Sequence, residues 1–552
     1  MVTVSFPKPC QIWLNPIFHR YRRSRLRLSS LITGALVYGG ASLFFYLVAL
    51  GYTVTKTSKS IEETAIYPFA FTLFLQVFIL TFVGTGEVAA GMARESIDRV
   101  LTYQRLTPLS PATKIMGYLT GLPVRQFYHF AITLPVTVLI IRTGSIPFEI
   151  WGSIYAVLFT STLMFYLLAM SVGLIMGKKF SALISQGLVF LLYFALPQLS
   201  NFGFIIFEYL TLRPVIFSAA QKVDSRFQLA SGHSSLFYNW ELSHTVYSIA
   251  LQTLLSLIFF CLLLRRWRLE SSHLLSKIQC LVIAGILNFI ILGSIWTNTA
   301  NGSMLVIKYT TRHPQLSAVV SDINKQVEVI GAAILSLYGL IGIISAILLQ
   351  YVYTPSRDAY LAGFRKRRKR GNRLLSIFKD SASGIPISVF IGVCTLTAWM
   401  LYAHHLLESP QIATFIAGAS VRSVETALIL VTIVPLLAHA CMLEYLGRKL
   451  TATLTSFMWI LPLASALLLS AWSFSEDLAT VLFGLSPLSM VFYPGYNMAS
   501  IHSAHSEHLF AKGCSIGIAI YSLLAVYFLT KTILRHRRYR ASHIEQNDIN
   551  SL

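Results

Sequence analysis

The chain has 552 residues, of which 55% are hydrophobic and only 12% are charged, and its mean hydropathy is +0.65. A soluble domain carries about 25% charged residues, so most of this chain is expected to lie in lipid. The charge is lopsided, with 44 Lys and Arg against 22 Asp and Glu and a formal net charge of +22. These values exclude a soluble nucleic-acid-binding protein, a disordered basic tail and a secreted disulfide scaffold.

The first predicted element is an amphipathic, Arg-rich helix over residues 15–30. Asn15 is a favourable N-cap and Pro16 a favourable first helical residue. A helix of this kind lies along the inner headgroup layer, where each basic residue contributes about 1 kcal/mol near anionic lipid. The same residues would also serve simply as a positive anchor on the inner side. Its candidate membrane-surface residues are Asn15, Pro16, Arg20, Arg22 and Arg23.

A helix that crosses the hydrocarbon core needs about 20 apolar residues. Twelve stretches meet this requirement, so the sequence predicts an all-α polytopic membrane protein. The third and seventh are short and need extension into their flanks. The twelve are Leu31–Tyr52, Ile66–Val83, Gln126–Ile141, Ile150–Met176, Ile184–Phe207, Val246–Leu264, Leu281–Trp296, Val327–Val352, Ile387–His404, Val424–Leu443, Phe457–Trp472 and Ile516–Thr530.

Basic residues are distributed unevenly over the loops between these spans. When alternate loops are assigned to two faces, three quarters of the 44 Lys and Arg residues fall on the face that holds both termini. The positive-inside rule therefore predicts a multi-pass protein of the cell (inner or plasma) membrane with both termini in the cytoplasm. The excess positive charge is then an orientation signal, and no nucleic acid is needed to explain it.

Landmarks in the two halves of the chain recur at a fixed offset. Gly177 and Gly447, each followed by two basic residues, are 270 residues apart, and so are Arg265 and Arg535 at the ends of the sixth and twelfth spans. Each half also has a long loop after its second span and an apolar outer stretch, of re-entrant character, before its last span. The sequence therefore predicts two parallel six-helix repeats, residues 31–270 and 271–540, between an N-terminal elbow segment, 1–30, and a tail, 541–552.

The loop after the second span, residues 87–125, contains the most distinctive motif. A short helix of mixed charge is expected first, a Pro-containing turn breaks it, and a second helix resumes at Ala112. A polar helix that projects from two spans is suited to docking against a soluble partner. The candidate docking residues are Arg94, Glu95, Asp98, Arg99, Arg105, Thr107, Pro108, Leu109, Ser110 and Pro111.

An Asn-Pro-led basic elbow, six spans, and charged residues before a Thr-Pro-Leu-Ser-Pro turn resemble the permease subunits of ABC-2 type ABC transporters. In that family the loop after the second span forms the coupling helix that contacts the ATPase subunit. The resemblance implies a transport subunit, not an enzyme, that provides alternating access and binds no cofactor itself. ATP and Mg²⁺ would be bound by ABC ATPase subunits, two in number, and membrane lipids would be the other partners.

In the second half the resemblance is one of topology. Thr354 and Pro355 match the start of the turn, and Arg357 and Asp358 complete a second candidate coupling loop. The Leu-Ser-Pro sequence is missing, and a basic run at 365–370 replaces the mixed charge. This loop could be degenerate, face another ATPase subunit or face anionic lipid.

Two other function classes remain open on the sequence. A twelve-helix secondary transporter needs ionisable groups near mid-membrane, and the clearest candidates, His129 and His439, also suit packing or helix-bridging hydrogen bonds. An enzyme acting on lipid-linked substrates needs a carboxylate pair or a nucleophile, and none stands out. There is no GxxxxGK[ST] phosphate loop, so an ATP-driven function requires nucleotide sites on another chain. The outer residues His502, His505 and His508 suit a wet polar loop better than a metal site.

Overall fold

The structure, a computed structural model, describes residues 11–56, 65–175, 180–223, 236–268, 273, 275–296, 323–369, 377–408, 421–471, 481–498 and 504–550. Strand in these residues is limited to β1 (Leu236–Phe237) and β2 (Trp240–Glu241). Eleven helices of the described chain are long and apolar enough to cross a membrane. The predicted fold class, an all-α polytopic membrane protein, is confirmed.

The chain divides into two compact units, and the main division falls between Ser272 and His273, close to the predicted repeat boundary at 270. Unit 1 begins with the elbow helix and contains six spans. Its helices are α1 (Pro16–Arg25), α2 (Leu28–Gly51), α3 (Ile66–Ile97), α4 (Val100–Leu106), α5 (Pro111–Gly121), α6 (Val124–Thr143), α7 (Phe148–Ile175), α8 (Ser181–Ser200), α9 (Ile206–Tyr209), α10 (Arg213–Val223) and α11 (His244–Arg268).

Unit 2 repeats this order of long and short helices. The second long helix is again followed by a shorter one, and two short helices again precede the last long helix. Its helices are α12 (Lys277–Trp296), α13 (Ile323–Tyr353), α14 (Arg357–Lys369), α15 (Ile385–Glu408), α16 (Val421–Leu446), α17 (Arg448–Ala471), α18 (Pro487–Met490), α19 (Phe492–Met498) and α20 (Ala504–Asn550).

The fourth long helix is central to each unit. Helix α7 packs against α3, α8 and α11, and α16 packs against α13, α17 and α20, which are the second, fifth and sixth long helices in both cases. These helices are correspondingly apolar all round, as expected for a helix surrounded by others. Helix α16 also packs extensively against α15, the third long helix, whereas α7 has no comparable packing against α6. The two units therefore share an order of elements and part of a packing scheme.

Several helices differ in length from the predicted spans. The fifth span was predicted to reach Phe207, which lies instead in the separate helix α9, and α20 extends beyond the predicted twelfth span at both ends. Helices α6 and α12 have 20 residues each, which supplies the extension that the third and seventh spans needed. The second span was predicted to end at Val83, but helix α3 continues unbroken to Ile97. At 1.5 Å per residue its 32 residues extend about 48 Å, well beyond the ~30 Å hydrocarbon core, so its last turns project from the membrane. The eleventh predicted span coincides with α17, with most of its side chains outside the described residues.

Two spans of unit 2 approach closely at a glycine. Trp399 on α15 is fully buried, and its Nε1 donates to the carbonyl of Leu335 on α13 at 2.9 Å. A Cβ added to Gly339 would lie 2.1 Å from the indole ring. Because the ring is enclosed and held by its hydrogen bond, we expect Gly339→Ala to lower the free energy of unfolding by about 1–3 kcal/mol.

The matched control for this variant is Gly285→Ala in helix α12. No described atom lies within 4 Å of a Cβ added there, so a gain of up to about 1 kcal/mol from helix propensity is expected. The two purified variants would be compared by their midpoints of unfolding in mixed detergent and SDS. Equal midpoints would contradict the packing of α13 on α15.

Candidate functional site

The elbow helix α1 is fixed at its first residue to the loop that was predicted to dock a partner. Asn15 caps the helix, accepting a hydrogen bond from the backbone N–H of Ile17 at 3.0 Å, as predicted. Its Nδ2 also donates to the carbonyl of Thr113 on α5 at 2.7 Å, and the side chain is buried. Gly117 makes room for it, since a Cβ there would lie 2.6 Å from Asn15 Oδ1. The same residue therefore starts α1 and ties it to α5.

The buried face of α1 packs against protein. Ile17, Phe18 and Tyr21 are buried, and α1 packs against α5 and α6. The helix ends at Arg25, five residues before the predicted end, because the backbone turns at Leu26 to enter α2. Arg20 and Arg23 remain exposed and Arg22 half-buried, so lipid contact of these arginines stays a prediction.

Glu95, near the end of α3, is the centre of a polar cluster that joins three elements. Its carboxylate accepts hydrogen bonds from the Arg20 guanidinium, from the Tyr21 hydroxyl at 2.6 Å and from the Tyr118 hydroxyl at 3.0 Å. Burial, reinforced by the neighbouring carboxylate, raises the pKa of Tyr21 and of Tyr118. Both hydroxyls are therefore neutral donors at physiological pH. We call Arg20, Tyr21, Glu95 and Tyr118 the Glu95 cluster.

A second carboxylate, Glu87, lies two turns earlier on the same face of α3. Arg25 Nη1 donates to Glu87 at 2.8 Å and to the carbonyl of Leu122 at 2.6 Å, and Arg125 lies 3.6 Å from the same carboxylate. Glu87, Arg25, Tyr21 and Tyr118 were not among the predicted docking residues. The sequence did contain an indication of these pairs. The two glutamates are eight residues apart, which places both near one helix face, and an arginine-rich helix precedes them in the chain.

Apolar side chains beneath these ion pairs connect the loop to the ends of several spans. Tyr118 of α5 is fully buried, and its ring lies 5.9 Å from Tyr21 and 5.5 Å from Trp267 at the end of α11. The core cluster also includes Met92 of α3 and Met170 of α7. Movement of the loop relative to the ends of α3, α7 and α11 would break close packing, so these parts are expected to move together.

The predicted break at Thr107–Pro111 is present, and an additional break that was not predicted lies at Arg99. Arg99 adopts a left-handed conformation with φ 55°, which separates α3 from α4. Helix α5 begins at Pro111, and Ser110 caps it by accepting a hydrogen bond from the N–H of Thr113 at 3.1 Å. Lys114 Nζ donates to the carbonyl of Thr107 at 3.2 Å, which fixes the turn between α4 and α5.

Six side chains at the end of α3 and on α4 form an exposed surface that we call the coupling surface. Its apolar members are Ile97, Tyr103 and Leu106, which are 52%, 74% and 82% exposed. Its charged members are Arg94, Asp98 and Arg99, all exposed. A mixed apolar and charged surface with an aromatic and arginines has the composition of protein interfaces.

The remaining predicted docking residues are placed differently. Thr107, Pro108 and Ser110 are exposed in the turn, Leu109 is half-buried, and Pro111 starts α5. Arg105 points inward and donates to the carbonyl of Arg266 on α11 at 3.3 Å. Glu95 has a side chain only 13% exposed and is engaged within the Glu95 cluster. It therefore belongs to the support of the coupling surface and not to the surface itself.

The second predicted coupling loop, in unit 2, is partly buried. Thr354 and Pro355 lie inside the protein, and Arg448 Nη2 donates to the carbonyl of Thr354 at 3.0 Å. Arg357 and Asp358 are exposed at the start of α14. Only these two of the four predicted residues are exposed.

Unit 2 also contains a charged anchor that the sequence analysis missed. Lys277 at the start of α12 is fully buried, and its Nζ donates to the carbonyls of Ala382 and Ser383 at 2.7 Å and of Ile377 at 3.3 Å. Glu444 of α16 holds the same turn by accepting hydrogen bonds from the Ser383 hydroxyl at 2.8 Å and the Gly384 N–H at 3.0 Å. A cation and an anion thus fix the segment that leads into α15.

The two candidate membrane histidines are engaged within their own units. His439 lies 2.6 Å from Gln350 Oε1 and 3.4 Å from the Tyr351 hydroxyl, which joins α16 to α13. The centroid of the His129 ring lies 4.4 Å from that of Tyr38, with the two rings tilted, and His129 packs against Gly34 of α2. His439 fits the helix-bridging hydrogen-bond alternative, and His129 fits the packing alternative. The predicted polar segment with His502, His505 and His508 has its side chains outside the described residues.

Comparison with protein-family models, with curated proteins and with solved structures finds no significant match to this chain. The arrangement of the coupling surface and its support is therefore interpreted from its own geometry.

Proposed function

We propose that this chain is the membrane-spanning permease subunit of an ATP-driven transporter of the ABC-2 type. Separate ATPase subunits, one for each six-helix unit, would dock on its cytoplasmic side and bind ATP and Mg²⁺. The chain itself would form the translocation pathway in the cell membrane, with both termini in the cytoplasm. The elbow motif, the loop motif and the repeated order of helices support this proposal.

The observation that carries the proposal is the combination of an exposed coupling surface with a rigid support. An exposed leucine, isoleucine and tyrosine lie together with charged side chains beyond the end of a membrane span, a composition that suits a protein partner. Beneath them, Glu95 binds groups from α1 and α5, and Arg105 binds the end of α11. A force applied to α4 would therefore be transmitted to the ends of several spans of unit 1.

The mechanism follows from this connection. Closure of the ATPase subunits around ATP would displace the coupling surface, and the hydrogen bond of Arg105 to the carbonyl of Arg266 would couple α4 to the end of α11. The spans of unit 1 would tilt, which alternates the access of the pathway. No chemical step takes place in the permease. In unit 2, Arg357 and Asp358 are the exposed residues that would meet the second ATPase subunit.

Charge reversal on the coupling surface tests the proposal. Asp98→Arg and Arg99→Glu are expected to reduce the amount of co-purifying P-loop ATPase by about tenfold or more, because reversed charges at an interface repel the partner. The measurement is affinity purification of the full chain from its native membrane, with the ATPase identified by mass spectrometry and quantified by ATP hydrolysis.

The matched control is Arg268→Glu, an exposed arginine at the end of α11 outside the coupling surface. It should leave the recovered ATPase unchanged. The proposal is wrong if the wild-type chain purifies without an ATPase and transports in proteoliposomes driven by an ion gradient alone. Turnover of a lipid-linked substrate without a partner would instead favour an enzyme.

A further inference from the structure

Unit 1 contains a cleft on its membrane-facing side, remote from the coupling surface. The cleft has a volume of about 460 Å³, within the range of small-molecule sites. One wall is a ridge of α6 residues four apart, Phe130, Leu134, Val138 and Arg142. The opposite wall is a second ridge of this kind on α7, which includes Trp151, Tyr155 and Phe159. Residues four apart share one helix face, so the cleft runs along the groove between two antiparallel helices.

The cleft is open to the side on which lipid tails lie. Val138 is 51% exposed and Phe159 48% exposed. At the inner end the rings of Phe130 and Phe159 close the groove at 5.7 Å. From Arg142 to Phe130 is twelve residues of α6, or about 18 Å along the helix. Half of a ~30 Å hydrocarbon core is about 15 Å, so the cleft spans one leaflet.

The polar groups next to the cleft are satisfied by one another. The Tyr155 hydroxyl donates to Gln76 Oε1 at 2.6 Å, and Gln76 Nε2 donates to the hydroxyls of Thr133 and Thr137 at 2.9 Å. Gln76, Thr133 and Thr137 are all buried. The groove itself is therefore lined by aromatic and aliphatic surface, which suits a hydrocarbon chain and offers little to a sugar or another polar solute.

The guanidinium of Arg142 lies at the open end of this apolar groove. Arg142 is exposed in the last turn of α6, at the end of the helix that faces away from the Glu95 cluster. A guanidinium forms paired hydrogen bonds with a phosphate group. The apolar groove is one leaflet long and suits an acyl chain, and the arginine at headgroup level suits the phosphate of an anionic phospholipid.

We propose that this cleft binds an anionic phospholipid of the leaflet opposite the coupling surface, with one acyl chain in the groove and its headgroup phosphate on Arg142, where a headgroup without a cation of its own is favoured. The site differs from the coupling surface in residues and in position. It does not depend on the proposed transport function.

Native mass spectrometry of the purified full chain tests the site with phosphatidylglycerol and phosphatidylcholine of identical acyl chains as probes. The wild-type chain should retain phosphatidylglycerol preferentially. Arg142→Gln should weaken that retention about tenfold, the effect of losing one charge-assisted hydrogen bond, while Arg422→Gln, an exposed arginine of unit 2, should not.

Substitutions that fill the groove test separately whether an acyl chain lies in it. Val138→Trp should abolish retention of the bound lipid, whereas Leu139→Trp, the neighbouring exposed residue outside the cleft, should leave it unchanged. Both positions face outward, so both variants are expected to fold, which monodisperse size-exclusion profiles would verify. Equal retention by the two tryptophan variants, or no preference of the wild-type chain for the anionic lipid, would overturn the proposal.

Discussion

Glu95→Ala is expected to lower the free energy of unfolding by about 2–4 kcal/mol and to release the elbow helix. The carboxylate is the shared acceptor for Arg20, Tyr21 and Tyr118. Its removal leaves the hydroxyl of the fully buried Tyr118 without its acceptor and an arginine without its counter-ion. The measurements are the midpoint of unfolding in SDS and hydrogen exchange of residues 16–25, which should become faster.

Two further variants separate this explanation from a general loss of charge. Glu241→Ala removes an exposed carboxylate from unit 1 and should leave the midpoint nearly unchanged. In the Glu95→Ala background, Tyr118→Phe should recover part of the lost stability, because it removes the hydroxyl that lost its acceptor. A double variant less stable than Glu95→Ala alone would show that Tyr118 is not held through Glu95.

Lys277→Met is expected to cost about 3–5 kcal/mol of stability in unit 2. Methionine keeps most of the side-chain volume but cannot donate to the carbonyls of Ala382 and Ser383, which the ammonium contacts at 2.7 Å. Removing one partner of a buried charged network leaves the other groups uncompensated. The loss would be measured as a shift of the unfolding midpoint together with faster hydrogen exchange in residues 377–384.

Lys379→Met is the matched control, since Lys379 is exposed in the same segment. It should change the midpoint by less than about 0.5 kcal/mol, as is usual for surface substitutions. If the two methionine variants unfolded alike, Lys277 would not be the anchor of the turn that leads into α15.

Local chemistry in the sequence predicted the elements well. The Asn-Pro pair predicted the start of α1, because capping and the fixed φ of proline act within a few residues. The Ser-Pro pair acts in the same way at the start of α5 but was assigned to the preceding turn. The length of each apolar stretch identified the spans, since about 20 consecutive apolar residues are needed to cross the hydrocarbon core. These signals depend only on neighbours in the chain.

The long-range contacts could not be predicted in this way. Glu95 was expected on the docking surface, but it pairs with Arg20, 75 residues away. Hydropathy placed the end of the second span at Val83, whereas helix α3 continues to Ile97 and its later carboxylates pair with arginines of the distant elbow helix. Thr354 and Pro355 are buried by packing that a single sequence does not display.

The most direct test of the central proposal is photo-crosslinking from Tyr103 in the native membrane. A benzophenone amino acid at this position, 74% exposed on the coupling surface, is predicted to capture a chain that carries a GxxxxGK[ST] phosphate loop. The same group at Trp240, 71% exposed elsewhere in unit 1, should capture no such chain. Adducts from Tyr103 that contain no P-loop ATPase would contradict the assignment of this chain as an ABC permease.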